Sequence, residues 1–451
     1  MLFLAAVSAQ LSSVNAAVDK VIASQKPVGA AVGIVKDGAL VYTKVYGLRN
    51  IAKNEPVDID TRFNIGSVTK QFTAAAILQL QEQGKLAIDD KLSKYEPAFP
   101  HANEITLRQL LNQVSGLADY LERVPPGQIA TGGSLDAVAK LVDVPLRFTP
   151  GTKWEYSNTN YYVLGNVIEK VSGESYESYV RAHLFGPAGM THSGFMSDEP
   201  SMSDFATGYW NGMRDNAPLQ PAPEIREGWA GGAGAIVSTI ADMAAWDTAL
   251  HSGKIVNKQD YETMIAPPKL PNNAPDTYGM GLGVDPLDGH ARIWHNGGSL
   301  GSFTMNSYFP NDGVHVIVFE NSTSGDPGAV ETAVVESMFP DAAVAARTAA
   351  PGEDVRMRPR ILHLLNEVLH GTLQPSELDS NFAKMATPQT QKQIAAQLAP
   401  LGAAKTIIFK GKRIDDRGTA YIYRVEFVNG TATFMTMFDK ASGLVGGIGI
   451  Q

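Results

Sequence analysis

Hydrophobic and polar positions in the first 340 residues predict a sheet that is built from both ends of this region. Residues 29–35 are apolar and residues 40–46 alternate, and the Asp-Gly turn between them predicts a β-hairpin. Strand patterns return late, at 302–309 and 314–319. Helical spacing fills the interval, at 71–83, 107–112, 161–171 and 240–250. We therefore expect an α+β fold in which helices flank an antiparallel sheet and a helical subdomain is inserted.

A second unit is predicted after residue 344. Residues 345–359 are rich in Ala, Pro, Gly and charged residues, which is typical of a linker. Beyond them come two stretches with helical spacing and then strand patterns at 405–409, 419–427, 431–438 and 444–450. Residues 360–451 are thus expected to form a small appended α+β domain, and residues 11–344 the main domain.

Residues 1–10 are apolar and small, and Ala6-Val7-Ser8-Ala9 resembles the end of a secretory signal. We interpret this segment as a signal-peptide remnant and expect a periplasmic or secreted protein, with a cytoplasmic location as the alternative. No stretch reaches the ~18–20 apolar residues that a membrane-spanning helix needs, so no integral membrane segment is expected.

Composition removes several classes of function. The chain of 451 residues has no cysteine, which excludes a thiol nucleophile and disulfides. Its formal charge is -9 and its basic residues do not cluster, so nucleic acid is not an expected partner. Apart from His295, the histidines show no spacing typical of metal motifs, and we expect neither a metal nor a cofactor. They are His101, His183, His192, His251, His290, His315, His363 and His370.

The segment Phe63–Phe72 places Ser67 where a small turn enters an apolar helix. Residues at i and i+3 share a helix face, so Lys70 is expected beside the Ser67 hydroxyl and could take its proton if burial lowers the lysine pKa. The helix N-terminus favours an oxyanion next to that serine. A Ser-x-x-Lys pattern alone recurs by chance in chains of this size.

Two further segments offer polar groups at predicted element junctions. Tyr156 and Asn158 follow a Pro-Gly turn, and they supply a phenol that can shuttle protons and an amide that can orient a substrate carbonyl. His295, Asn296 and Gly297 follow an aromatic strand, in what we expect to be a glycine-rich turn between strands. There His295 offers a hydrogen-bond donor to a substrate or to the tyrosine.

Together the three segments resemble the serine β-lactamase and penicillin-binding protein superfamily. With Tyr-x-Asn in the middle, the chain looks most like the branch of class C β-lactamases, D-Ala-D-Ala carboxypeptidases, D-amino-acid peptidases and family VIII carboxylesterases. The resemblance covers residues 15–340. It also includes Gly231-Gly232-Ala233-Gly234, which we expect at the floor or rim of the pocket.

The resemblance implies a role for each matching residue. Ser67 would be the nucleophile, Lys70 its proton-transfer partner, and Tyr156 the group that helps to activate Ser67 and protonates the leaving atom. The backbone N–H groups of Ser67 and Gly298 would form the oxyanion hole. Asn158 would bind the substrate, and the resemblance leaves open whether the lysine or the tyrosine is the acylation base.

The third segment, which contains His295, Asn296 and Gly297, would also bind the substrate. His295 stands where β-lactamases carry a lysine that grips a carboxylate, which disfavours strong β-lactamase activity.

The expected function is hydrolysis of a peptide, amide or ester bond in a small-molecule or peptide acyl substrate, with peptidase or D-aminoacyl hydrolase activity favoured. The alternatives are a carboxylesterase, a weak β-lactamase and a catalytically silent module that binds cell-wall peptide. The last is disfavoured because Ser67, Lys70 and Tyr156 are all present.

Overall fold

The computed structural model describes residues 2–125, 133–211, 218–223, 227–271, 277–414 and 418–450, apart from the side chains of residues 2–9 and 227. Its strands are β1 Gly29–Lys36, β2 Ala39–Asn50, β3 Glu55–Pro56, β4 Phe63–Asn64, β5 Gly194–Phe195, β6 Tyr209–Trp210, β7 Gln220–Pro221, β8 Ile236–Ser238, β9 Gly283–Val284, β10 Ile293–Ser299, β11 Ser302–Phe309, β12 Val314–Glu320, β13 Ala404–Ile414, β14 Gly418–Phe427, β15 Thr431–Asp439 and β16 Val445–Ile450.

The helices in the described part of the chain are α1 Leu2–Gln25, α2 Thr69–Glu82, α3 Leu107–Leu111, α4 Leu135–Val142, α5 Asn158–Ser172, α6 Tyr176–Val180, α7 Gly186–Ala188, α8 Glu227–Gly234, α9 Ile240–His251, α10 Lys258–Met264, α11 Pro327–Met338, α12 Pro340–Arg347, α13 Arg358–His370, α14 Phe382–Met385 and α15 Pro388–Leu398. A π-helical turn covers Arg181–Phe185, and 3-10 turns include Gly66–Val68 and Tyr120–Glu122.

The chain divides into two compact units. The larger unit comprises residues 27–210 and 219–331, and the smaller unit comprises residues 1–26, 211–218 and 332–451. Within its described residues the larger unit contains a seven-stranded antiparallel sheet in the order β3-β2-β1-β12-β11-β10-β9. The sheet is built from both ends of this unit, as predicted, and β1 pairs with β12 near its middle.

The first hairpin shows how local sequence sets this sheet. Asp37 and Gly38 connect β1 to β2 with φ of 50° and 79°, which are the positive angles that a two-residue type I′ turn requires. Strand β1 is buried over nearly its whole length and reads as a continuous apolar run. The predicted hairpin is therefore confirmed, and β2 extends four residues beyond its predicted end.

Helix α2 runs through the core of the larger unit. Its side chains are buried from Thr69 to Leu78, and Phe72 stacks on Trp246 of α9 with ring centroids 3.8 Å apart. A helix buried on every side keeps a fixed position, so α2 holds its first turn rigidly against the sheet. The predicted helices at 71–83, 107–112, 161–171 and 240–250 correspond to α2, α3, α5 and α9.

The smaller unit contains the predicted second α+β structure. Strands β13, β14, β15 and β16 form an antiparallel sheet in that order. Its core buries Leu364 and Leu365 of α13 together with Tyr423, Phe434 and Val445 of the sheet.

The compact units do not follow the predicted domain boundaries at every point. Helix α1, which overlaps the predicted signal remnant at 1–10, is grouped with the smaller unit, and the division falls after residue 331 rather than after residue 344. Helix α12 also extends into the predicted linker. The division into 11–344, 345–359 and 360–451 thus stays a prediction, as does export. Among the described residues, the helices are too short or too polar to cross a bilayer.

Candidate active site

The Ser67 hydroxyl lies beside the amine of Lys70. Ser67 belongs to the 3-10 turn Gly66–Val68, which leads directly into α2, and Lys70 stands in the first turn of that helix. Lys70 Nζ lies 2.9 Å from Ser67 Oγ, which is hydrogen-bonding distance. The predicted i, i+3 pair therefore forms, at the start of the buried helix α2.

Burial brings the pKa of the Lys70 amine close to neutral pH. The side chain is inaccessible to solvent, and Nζ also lies 2.9 Å from Asn158 Oδ1 and 2.7 Å from the carbonyl oxygen of Ala233. Desolvation lowers the pKa of Lys70 from 10.5 to about 7, although the negative charge of Asp119 acts in the opposite direction. Near pH 7 the Lys70 amine is therefore neutral in a large fraction of the molecules and can accept a proton.

Tyr156 lies beside Lys70 and Ser67. The centroid of its ring is 4.9 Å from Lys70 Nζ, and its hydroxyl is near enough to Ser67 for the two side chains to interact. Desolvation raises the pKa of Tyr156 above its ordinary value, and the nearby Ser67 side chain lowers it by less. The phenol consequently keeps its proton at neutral pH.

The backbone on both sides of Tyr156 is held by Gln113. Gln113 adopts a φ of 61°, and its carbonyl oxygen accepts the Glu155 N–H at 3.0 Å. Its side-chain Oε1 accepts the Ser157 N–H at 3.1 Å and the amide of Asn160. These bonds on both sides of Tyr156 fix the position of the phenol.

Asp119 is a residue of the site that sequence analysis missed. Its Oδ2 accepts the Asn158 side-chain N–H at 2.8 Å and the Asn158 backbone N–H at 3.2 Å. The amide oxygen of Asn158 is thereby directed at Lys70. No motif spacing marks Asp119, since it lies 39 residues from Asn158 and the fold alone joins them.

The third segment departs from its prediction, because residues 293–299 continue as strand β10 instead of forming a turn. Its residues pair with β11, from Ile293 opposite Tyr308 to Ser299 opposite Ser302. Glycine is required here by packing. A Cβ on Gly297 would lie 2.0 Å from the carbonyl oxygen of Ile65, so the missing side chain lets the strand approach the Ser67 turn.

Gly298 lies next to that turn as well. Gly66 has a φ of 51°, and a Cβ there would lie 2.8 Å from the backbone N of Gly298. The backbone of Gly298 is therefore adjacent to the residue that precedes Ser67. This arrangement suits the predicted oxyanion hole, and the role of both N–H groups stays a prediction.

His295 is buried and neutral. Its Nδ1 faces the Asn296 carbonyl oxygen, which can only accept, so Nδ1 carries the proton and Nε2 accepts the Tyr278 hydroxyl proton at 2.9 Å. Desolvation and then the charge of Lys70 lower the pKa of His295 to about 3. Both ring nitrogens are bonded within the protein, and contacts of His295, Asn296 and Gly297 with a substrate stay predictions.

Comparison with known proteins agrees with this geometry. The family model described as beta-lactamase matches residues 14–336, which is most of the chain. The chain belongs to the serine β-lactamase and penicillin-binding protein superfamily. It shares the antiparallel sheet with flanking helices that solved penicillin-binding proteins have. One of these, from Bacillus halodurans, is 27% identical with a TM-score of 0.62, over 71% of this chain and 99% of that chain.

Two relatives of this protein show which kinds of protein the superfamily contains. A protein of Bacillus subtilis (strain 168) that carries the name penicillin-binding protein PbpX is 34% identical over 64% of this chain and 69% of its own length. A D-aminopeptidase of Brucella anthropi is 31% identical over 64% of this chain, and the match spans 55% of that enzyme. This protein and these relatives thus share membership of one family of serine hydrolases with the β-lactamase fold.

Proposed function

We propose that the protein hydrolyses a peptide or amide bond through an acyl-enzyme on Ser67. The observation that carries this proposal is the hydrogen bond of 2.9 Å between Ser67 Oγ and a lysine whose pKa is lowered to about 7. A serine needs an adjacent base to become a nucleophile, and Lys70 meets both requirements of distance and basicity.

The opposite pKa shifts of Lys70 and Tyr156 support a division of labour. Neutral Lys70 takes the proton of Ser67 while Oγ bonds to the substrate carbonyl carbon, and the carbonyl oxygen becomes an oxyanion facing the N–H groups of Ser67 and Gly298. Tyr156 still holds its proton and gives it to the leaving nitrogen as the C–N bond breaks. Tyr156 then recovers a proton from the Lys70 ammonium, and water repeats the cycle on the acyl-enzyme.

The neutral His295 favours substrates without a carboxylate next to the scissile bond. A buried imidazole with a pKa of about 3 cannot supply the positive charge that a terminal carboxylate needs. An aminoacyl amide or the N-terminal residue of a peptide has no such carboxylate. A D-stereospecific amidohydrolase from Streptomyces sp. has a similar structure, with 26% identity and a TM-score of 0.62 over 72% of this chain and 98% of that chain.

Ester hydrolysis is the second candidate, since the same neutral site accepts an ester. Esters have better leaving groups and depend less on the proton from Tyr156. Tyr156→Phe is therefore expected to reduce amide hydrolysis much more than hydrolysis of an activated ester.

Intact-protein mass spectrometry after treatment with a fluorophosphonate probe tests the acyl-enzyme. We expect one adduct on the wild type, none on Ser67→Ala, and an unchanged adduct on Ser252→Ala, which alters an exposed serine. Release of ammonia from the amides of D- and L-amino acids, p-nitrophenyl ester cleavage and β-lactam opening are then compared. An adduct on Ser67→Ala, or ester or β-lactam turnover without any amide turnover, would contradict the proposal.

A further inference from the structure

A second polar cluster lies in the larger unit, at the end of the sheet away from Ser67. Asp247 and His251 stand four residues apart on one face of α9, and His315 stands near the start of β12. One oxygen or nitrogen atom from each of the three residues lies within 4.8 Å of the other two. The neighbouring strand β11 approaches Ser67 with its first residues, whereas Tyr308 near its other end reaches this cluster.

Two buried atoms of the cluster have no hydrogen bond among the described residues. They are Oδ2 of Asp247 and Nδ1 of His315, whose residues are 1% and 5% exposed. These atoms lie 3.5 Å apart, whereas a direct hydrogen bond would bring them to about 2.9 Å. A buried polar atom without a partner is costly, and a ligand bound between these two atoms would remove that cost.

The donor set suits a transition-metal ion. Imidazole nitrogen and carboxylate oxygen bind Zn²⁺ at about 2.0–2.2 Å, and tetrahedral ligands at that distance lie roughly 3.3–3.5 Å from each other. The spacing of 3.5 Å between His315 Nδ1 and Asp247 Oδ2 therefore matches two ligands of one ion. His251 is half-buried, which leaves a route by which an ion can enter.

Neighbouring side chains orient these three residues, as hydrogen-bonding residues around a metal site orient its ligands. Asn306 Nδ2 donates to Asp247 Oδ1 at 2.8 Å, and this leaves Oδ2 for coordination. His251 Nδ1 is 2.5 Å from the Tyr261 hydroxyl, so its Nε2 remains as the coordinating atom. The ring of Tyr308 stacks on both imidazoles, with centroids 4.2 and 4.3 Å away, and fixes their planes.

We propose that Asp247, His251 and His315 bind a divalent transition-metal ion of the Zn²⁺ class. The ion joins the C-terminal end of α9 to the start of β12 and, through Asn306, to β11. Three protein ligands leave a fourth position for water. The site is separate from Ser67, and its role is to stabilise this end of the sheet. The proposal does not depend on the proposed hydrolysis.

Zinc binding to the full chain, stripped of metal with a chelator and desalted, tests the site. Competition with a chromophoric chelator gives the affinity, and plasma mass spectrometry gives the stoichiometry. We expect about one tightly bound ion per chain and a Zn²⁺-dependent rise of several degrees in Tm. Asp247→Asn and His315→Gln keep similar volumes and are expected to weaken binding at least about 100-fold. Substituted Co²⁺ should show visible absorption bands typical of tetrahedral coordination.

The matched control is His363→Gln. His363 is exposed and lies near Glu367 and Glu377 in the smaller unit, and its loss should leave the tight site intact. If either buried variant fails to fold, His251→Gln changes a half-buried ligand and keeps the test available. Unchanged affinity in the folded Asp247, His251 and His315 variants, or loss of the tight site in His363→Gln, would overturn the proposal. Wild-type protein that binds Zn²⁺ no more tightly than the millimolar range would also overturn it.

Discussion

Asp119 and Lys70 are connected through one amide, that of Asn158. Asp119 Oδ2 accepts a hydrogen bond of 2.8 Å from the amide N–H of Asn158, and the amide oxygen accepts one of 2.9 Å from Lys70 Nζ. The carboxylate thus orients Asn158 and also stabilises the charged form of Lys70 from a distance. A residue outside every recognised motif consequently takes part in setting the protonation state of the proposed base.

Asp119→Asn should shift the activity of the enzyme to lower pH. The substitution removes the negative charge that raises the pKa of Lys70, so the lysine becomes neutral at a lower pH than the wild-type value of about 7. The acidic limb of kcat/KM against pH is expected to move down, and KM to rise because Asn158 is held less firmly. Asp136→Asn, on an exposed face of α4, is the control and should keep the wild-type profile. An unmoved limb would contradict this role of Asp119.

Lys70 itself should produce the acidic limb in the wild type. We expect kcat/KM to rise with pH through an apparent pKa of about 7, because only the neutral amine accepts the Ser67 proton. Lys70→Arg keeps a positive charge that cannot be lost, and it should lower kcat/KM by about 10³-fold without restoring activity at high pH. Full activity of the arginine variant at any pH would remove Lys70 as the base.

Gly297→Ala should separate the strand from the nucleophile turn. Its Cβ would lie 2.0 Å from the carbonyl oxygen of Ile65, so β10 or the turn has to move, at a cost of about 3 kcal/mol. Gly298→Ala is the matched comparison for stability, since its Cβ would meet only ring atoms of Phe303 at 3.5 Å or more. Urea unfolding measures both, and equal stabilities would show that β10 adapts without strain.

Glu320 should make the protein less stable at alkaline pH. This buried carboxyl group has two oxygen atoms without hydrogen-bond partners among the described residues. Desolvation, and secondly Asp326, raise its pKa from 4.5 to about 8. Because the folded-state pKa is the higher one, its contribution is fully present below pH 4.5 and is lost as the pH rises through about 8.

Glu320→Gln resembles the protonated acid and tests this prediction. The variant should match the wild type near pH 4.5 and be more stable by about 2–4 kcal/mol at pH 9. Thermal unfolding at the two pH values measures the difference. Glu331→Gln provides the contrast, because it breaks an ion pair with Arg292 and should destabilise the protein. A constant difference between Glu320→Gln and wild type at both pH values would show that Glu320 does not titrate as described.

Much of the fold could be predicted because its signals are local. The Asp-Gly turn between β1 and β2, the apolar spacing of α2 and the strand pattern of residues 302–309 each act over a few residues. A sheet built from both ends of the larger unit was also predictable, because the strand patterns lie near its two ends. The pairing of β1 with β12 came only from the structure. The third segment was assigned wrongly as a turn, because glycines that permit close packing have the same pattern as glycines that permit a turn.

The sequence by itself determined the pair Ser67 and Lys70, since a helix brings residues three apart together wherever it forms. It also indicated Tyr156 and Asn158, through a resemblance that spans the motifs. Only the tertiary structure decided their partners. Asp119 reaches Asn158 across 39 residues, and Asp247 reaches His315 across 68. Such pairs have no periodic pattern in the chain, because their proximity depends on how strands and helices pack rather than on the spacing of residues within one of them.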